Sequence, residues 1–149
     1  MPNFDLSGLP DPESDPQFYA GVPFKRLLAW FIDFFVIVIL TLGASIATLG
    51  ILAVLFPLTL LVINIGYRIY FLQLKSATPG MMLVGIEIRN HMGNRLTLRE
   101  SFWHTIVFTL AIMTFVVNAL SMIMMLVSRH HQGVHDYLCG TTAINRPMK

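Results

Sequence analysis

The chain has 149 residues, of which 55% are apolar and only 12% are charged, and its formal net charge is +2. Soluble domains are usually about 25% charged, so this composition excludes a soluble domain and indicates an integral membrane protein. The single cysteine, Cys139, excludes an intrachain disulfide. The length allows three or four membrane spans and leaves room for one domain.

The first 20 residues combine four prolines with acidic side chains at Asp5, Asp11, Glu13 and Asp15. Such a segment has too little apolar surface to offset the entropy lost on folding. We therefore predict a disordered, acidic, Pro-rich cytoplasmic tail over residues 1–20. A transmembrane domain is predicted to follow it over residues 21–146.

Between Leu27 and Leu74 the sequence is almost continuously apolar. That length is too great for one span of about 20 residues and suits two. We predict transmembrane helices over about 27–48 and 51–74, joined by a tight turn at Leu49-Gly50. Pro57 is predicted to kink the second helix.

Both predicted spans carry charge. Asp33 is the only charged residue between Leu27 and Gly66, and a carboxylate at the centre of a bilayer costs about 2.5–3.5 kcal/mol on insertion scales. Arg68 lies at a matching depth in the antiparallel second span, and Asn64 lies one turn from it. The depths predict an Asp33–Arg68 pair supported by Asn64, either as a structural contact between helices or as an ion- or proton-handling site.

The segment after the second span has the features of a small β-hairpin. Thr78-Pro79-Gly80 predicts a turn, and apolar side chains alternate with polar ones from Val84 to Arg89, as is typical of a strand. Turn-forming residues 90–94 then lead to a return strand at Leu96–Leu98. We predict that this hairpin lies at the cytoplasmic membrane surface.

The third apolar segment, about 102–128, allows two topologies. Its length favours one crossing, whereas the basic residues after it favour a re-entrant hairpin that bends near Asn118, because basic segments stay in the cytoplasm. The bend is the preferred alternative. It lets Thr141–Asn145 pair with the strand at residues 84–89 and brings His135 and Asp136 to Arg26, so that Arg26, Asp33 and Asp136 are predicted to form one cluster.

Other chemistry-bearing residues have simpler interpretations. His130, His131, His135 and Asp136 fit no standard zinc spacing, so no metal site is predicted, and His135-Asp136 is interpreted as a helix cap or turn. His104 is expected to extend towards the membrane surface, the methionines at 122, 124 and 125 to pack, and Cys139 to be unreactive. Without a phosphate loop, nucleophile elbow or dinucleotide fingerprint, we expect no catalytic residues and no cofactor.

Three blocks of sequence, in this order, resemble the RDD family of bacterial membrane proteins, which is named for one arginine and two aspartates. The blocks are RLLAWFID (Arg26–Asp33), YFLQLKSATPGMMLVGIEI (Tyr70–Ile88) and HQGVHDYLCGTTAI (His131–Ile144). The resemblance extends from about Val22 to Ile144 and implies that Arg26, Asp33 and Asp136 are the characteristic residues. Met81 and His104 depart from the pattern, because the family usually has lysine and often has arginine at these positions.

The resemblance implies a fold and a membrane more directly than an activity. We expect an all-α membrane protein with two full spans, a third apolar segment and a small β-hairpin. Its expected role is a non-catalytic scaffold, accessory or assembly factor of the bacterial inner membrane, with its N-terminus cytoplasmic. Expected partners are the lipid bilayer and either a second copy or another membrane protein, and not nucleic acid.

The alternative function, also suggested for some family members, is a monovalent cation (Na⁺ or K⁺)/proton antiporter. It would act as an oligomer, because three spans can hardly enclose a path. A permanent Asp33–Arg68 pair favours the charged carboxylate and opposes the change of protonation that antiport needs. The pair therefore favours the scaffold.

Overall fold

The computed structural model describes residues 4–146, and it is mostly helical. Two helical stretches are long and apolar enough to cross a membrane, Pro16–Ala47 and Phe56–Lys75. The first contains helix α1 (Val22–Ala47), which ends at the predicted turn, where Leu49 and Gly50 both have positive φ. The two predicted spans are therefore confirmed as candidate membrane-spanning helices.

The second span is interrupted near its start. A short helix, α2 (Ile51–Val54), is separated at Leu55 from the long helix α3 (Phe56–Lys75). Pro57 lies in the first turn of α3, where its missing N–H would have no helical partner in any case. The proline therefore begins a helix, and where a kink at Pro57 was predicted the structure has a break between two helices at Leu55.

The third apolar segment consists of two helices, α5 (Leu98–Met113) and α6 (Phe115–Val127), which meet at Thr114 with a bend of 114°. With 16 and 13 residues, the arms are only about 24 and 20 Å long at 1.5 Å per residue, shorter than a hydrocarbon core of about 30 Å. The predicted bend is confirmed, four residues before Asn118.

The small sheet is built from strands far apart in the sequence. Strand β1 (Ile86–Asn90) pairs antiparallel with β2 (Thr141–Asn145), with Ile86 opposite Asn145 and Ile88 opposite Ala143. This long-range pairing confirms a prediction, whereas the predicted return strand at Leu96–Leu98 does not form. Within residues 4–146, the return segment contributes only one bridge, between Arg89 and Arg95, because the chain turns at once into the Thr97 cap of α5.

Thr78-Pro79-Gly80 begins a short helix, α4 (Pro79–Leu83), and does not form a simple turn. The Thr78 hydroxyl caps the helix by accepting from the Met81 N–H. Helix α4 packs closely on α1, since a Cβ at Gly80 would collide with the Ala29 carbonyl oxygen and the Asp33 carboxylate. Gly80 therefore permits the approach that positions α4 beside the buried charge of α1.

The predicted tail differs from the structure. Residues 1–3 lie outside the described part of the chain, but residues 4–20 lie against the domain, where Leu9 and Tyr19 are buried. The Tyr19 hydroxyl donates to the Pro10 carbonyl oxygen, and the Asn145 side-chain amide donates to two backbone carbonyls of this segment. These contacts, two of them with β2, offset the ordering entropy in a way that the local composition does not reveal.

Polar side chains are buried and large apolar ones are exposed along the candidate spans. Arg26, Asp33, Thr41 and Ser45 form the buried polar stripe of α1, whereas its Phe35 and Ile39 are more than 60% exposed. A soluble helix buries its apolar face. This reversed arrangement suits helices that are surrounded by lipid.

Candidate functional site

A buried cluster of charged residues connects the start of α1 to helix α7 (Val134–Cys139). The Arg26 guanidinium lies 2.6 Å from Asp136 Oδ2 and 2.9 Å from His135 Nε2. Since a guanidinium only donates hydrogen bonds, His135 Nε2 accepts and the ring proton is on Nδ1, which lies 3.4 Å from Ser121 Oγ. His135 is therefore neutral in this arrangement.

Asp136 is both an ion-pair partner and a helix cap. Its Oδ2 accepts from the Gly133 N–H at 3.0 Å, in the first turn of α7. Burial raises the pKa of this carboxyl, but the Arg26 guanidinium outweighs that effect, so the pKa lies well below its usual range. The cap and cation contacts expected for Asp136 are thus both present, and they hold it as a carboxylate.

His104 extends this cluster to α5. It is fully buried, with Nδ1 3.1 Å from Thr141 Oγ1 and 3.9 Å from Asp136 Oδ1. The expectation that His104 extends towards the membrane surface is wrong, because the bend of the third segment turns its ring towards α7 and β2. Helices α1, α5 and α7 and strand β2 therefore all contribute to one polar centre.

Asp33 lies in a separate set of hydrogen bonds. Its Oδ1 accepts from the Tyr67 hydroxyl and the Gly80 N–H, each at 2.8 Å, and its Oδ2 accepts from the Thr78 hydroxyl at 2.5 Å. One carboxylate of α1 thereby connects α3 and α4, which explains how it is accommodated at 2% exposure.

The predicted Asp33–Arg68 pair is wrong as a direct contact: no ion pair within 4 Å joins them in the described structure, because Asp33 is occupied by nearer donors. Arg68 is buried and instead stacks on the Phe108 ring, with its guanidinium carbon 3.8 Å from the ring centroid. Its Nε has no hydrogen-bond partner among residues 4–146. Asn64 is half-buried and lines a small cavity of about 50 Å³ together with Asp33 and Arg68.

A larger cavity of about 440 Å³ adjoins the charged residues. Arg26, Asp33, Arg68 and His135 contribute its charged and imidazole groups, and most of the other lining residues are apolar side chains of α1, α5 and α6. The prediction that Arg26 and both aspartates form one cluster is therefore wrong, because Arg26 pairs with Asp136 while Asp33 has its own set of donors. Asp33 borders the cavity, while Asp136 lies behind Arg26 and His135.

The donor atoms of His104, His135 and Asp136 lie within 4.8 Å of one another, close enough for a metal ion. However, Arg26 already occupies His135 Nε2 and Asp136 Oδ2 and places a positive charge beside them. This geometry favours an ion pair over a metal centre. His130 and His131 pack instead on the Tyr19 ring, with centroid separations of 5.6 and 6.4 Å.

Cys139 ends α7 with its side chain half-buried. Burial, together with the nearby Asp136, raises the pKa of the Cys139 thiol to about 11. Because the thiolate is the reactive form, this environment makes the thiol unreactive near neutral pH.

His135 predicts a specific pH dependence of stability. Burial lowers the pKa of His135 to about 4, against about 6.5 in an unfolded chain. Between these values the unfolded state binds more protons, so stability falls as the pH is lowered from about 6.5 to 4, by up to about 3 kcal/mol from this residue. Unfolding of the purified protein at pH 7 and pH 4.5 measures this loss.

The matched control is His91→Asn, in the turn after β1. His135→Asn should reduce the difference in unfolding free energy between the two pH values, while His91→Asn should retain it. An equal pH dependence in both variants would contradict the neutral, buried His135.

Sequence reasoning missed several members of the two networks. Tyr67 and Thr78 donate to Asp33, and His104 and Thr141 line the Arg26–Asp136 pair. Tyr67 is next to Arg68, and Thr78 begins the Thr-Pro-Gly sequence, so a search for donors at the depth of Asp33 could have found both. Nothing local marks Thr141, whose position depends on strand pairing.

The sequence model of the RDD family matches residues 20–140. No curated protein and no solved structure shows significant similarity to the chain. The match includes Arg26, Asp33 and Asp136, and together with the apolar helices it points to a membrane protein. The chain belongs to the RDD family.

Proposed function

We propose that this protein is a non-catalytic membrane scaffold or assembly factor. The observation that supports this function is that protein donors engage both aspartates of the site. Asp136 is held by Arg26 and the Gly133 N–H, and Asp33 accepts three hydrogen bonds. Protein groups therefore already occupy both carboxylates, and neither is free to bind an ion or to take part in a reaction.

The same contacts make a small, stiff helical unit. Asp33 connects α1 to α3 and α4, while Arg26 connects α1 to α7. Outside these contacts, α1 and α6 expose large apolar side chains such as Phe35, Ile39 and Val127. A stiff unit with an apolar exterior suits a protein that associates with lipid and with another transmembrane helix, either of a second copy or of another membrane protein.

Cation/proton antiport is the alternative, and the position of Asp33 at the 440 Å³ cavity favours it. A cation would have to displace the donors from Tyr67, Thr78 and Gly80. Arg26 and Arg68 border the same cavity, and like charges at short range in a medium of low dielectric repel strongly. These features make the scaffold the better-supported function.

Two measurements on the purified full chain distinguish these functions. Reconstituted vesicles with an imposed Na⁺ or K⁺ gradient should show no proton movement beyond that of empty vesicles between pH 6 and 9. Extraction in mild detergent should recover the protein with a second copy or with another membrane protein. Cation-dependent proton movement that disappears in folded Asp33→Asn would contradict the scaffold, as would extraction as a solitary chain.

We also propose that the protein lies in the bacterial inner membrane with its N-terminus in the cytoplasm. Lys25 and Arg26 flank the start of α1, and four Lys or Arg residues lie between 75 and 99, whereas the 48–55 connection contains none. In a Cys139→Ser background, an impermeant thiol reagent should label Leu49→Cys in intact cells and label Arg95→Cys only after lysis. The reverse pattern would contradict this orientation.

A further inference from the structure

The 440 Å³ cavity has the size and lining of a ligand site. Its volume falls within the roughly 300–1,000 Å³ of typical small-molecule sites, which are mainly apolar with a few polar groups. The apolar wall consists of side chains from α1, α4, α5 and α6, among them Leu27, Trp30, Met81, Phe108, Ile112 and Met125. Such a wall suits a hydrocarbon chain.

The cavity reaches the apolar exterior of the protein. Phe24, Met122 and Leu126 line it, and each has more than half of its side-chain surface exposed. These residues belong to α1 and α6, whose outer faces are apolar. A lipid chain beside these helices would therefore meet the cavity at exposed apolar side chains.

Arg68 supplies the polar end. It is 3% exposed, its Nε has no hydrogen-bond partner within residues 4–146, and no ion pair within 4 Å joins it to a carboxylate in that part of the chain. Leaving a buried charged donor unpaired is costly. Arg26, the other cation of the cavity, already pairs with Asp136, so Arg68 is the group that requires an acceptor.

We propose that this cavity binds the phosphodiester group of a membrane phospholipid at Arg68, with an acyl chain along the apolar wall. A phosphodiester offers a negative charge and several acceptor oxygens to the planar guanidinium. Asp33 shares the wall, but its oxygens accept from Tyr67, Thr78 and Gly80, which leaves Arg68 to interact with the ligand. This binding would hold whether the protein acts as a scaffold or as an exchanger.

The test compares lipids that differ only in the phosphate. Native mass spectrometry of the full chain in a neutral detergent would measure retention of phosphatidylglycerol and of diacylglycerol with identical acyl chains. We expect phosphatidylglycerol to bind at least about tenfold more tightly, as a charge-assisted hydrogen bond requires, and inorganic phosphate alone not to be retained. Equal binding of the two lipids, or stronger binding of palmitate than of phosphatidylglycerol, would overturn the proposal.

Single-residue variants test whether the lipid binds in this cavity. Arg68→Gln should abolish the preference for phosphatidylglycerol, and Ile112→Trp, which fills the cavity and keeps Arg68, should weaken binding of both lipids. Arg99→Gln is the matched control, since Arg99 is exposed and lies outside the cavity. If Arg68→Gln does not fold, lipid binding by Ile112→Trp still tests the proposal. Unchanged phosphatidylglycerol binding in Ile112→Trp would overturn the proposal.

Discussion

Arg26→Gln and Asp136→Asn should each destabilise the folded protein by about 3–5 kcal/mol, because each leaves the other member of a buried ion pair without its partner. Both side chains are at most 8% exposed and 2.6 Å apart, so solvent screens the loss little. Arg26→Gln also removes the donor to His135 Nε2. Unfolding of the purified variants in a denaturing detergent measures the loss.

The double variant makes this prediction specific. If the pair interacts directly, Arg26→Gln combined with Asp136→Asn should recover about 1–3 kcal/mol relative to the sum of the single losses. The exposed pair Arg129–Glu13 is the matched control, and Arg129→Gln should have little effect on stability. Strictly additive losses at Arg26 and Asp136 would contradict a direct pair.

Asp33→Ala should cost about 3 kcal/mol or more, because it leaves three buried donors without an acceptor and each unsatisfied donor costs about 1–3 kcal/mol. The donors are the Tyr67 hydroxyl, the Thr78 hydroxyl and the Gly80 N–H. Tyr67→Phe removes one of these hydrogen bonds and keeps the carboxylate, so it should cost clearly less. Equal stability of the two variants, measured by the same detergent unfolding, would contradict this network.

The sequence predicts the elements that depend on local composition or on strand geometry. The long apolar run contains both candidate spans, and the tight turn at Leu49-Gly50 was predicted because the run is too long for one span. The pairing of β1 with β2 was predictable because a strand edge at a membrane surface requires a partner. That pairing also required the bend in the third apolar segment.

The partners of the buried charges were harder to predict. Because Asp33 and Arg68 lie at matching depths, the sequence correctly indicated that their two helices pack together. It predicted the wrong contact for Asp33, because the donors from α4 come from outside the spans. The packing of Tyr19 and Leu9 against the domain was missed for a similar reason. Composition describes what a segment can bury alone, whereas Tyr19 packs on His130 and His131, more than 100 residues away.

Cross-linking in native membranes tests most directly whether the third apolar segment turns back and brings the C-terminal region to the start of α1. Lys25 Nζ lies 2.7 Å from Asn145 Oδ1, so Lys25→Cys and Asn145→Cys, in a Cys139→Ser background, should be joined within one chain by a short bismaleimide. Leu49→Cys with Asn145→Cys is the control, since Leu49 follows the far end of α1. A single crossing would separate positions 25 and 145 by roughly 30 Å. Efficient cross-linking of 25 to 145 and none of 49 to 145 is the predicted result, and the absence of a 25–145 product would contradict the buried Arg26–Asp136 cluster.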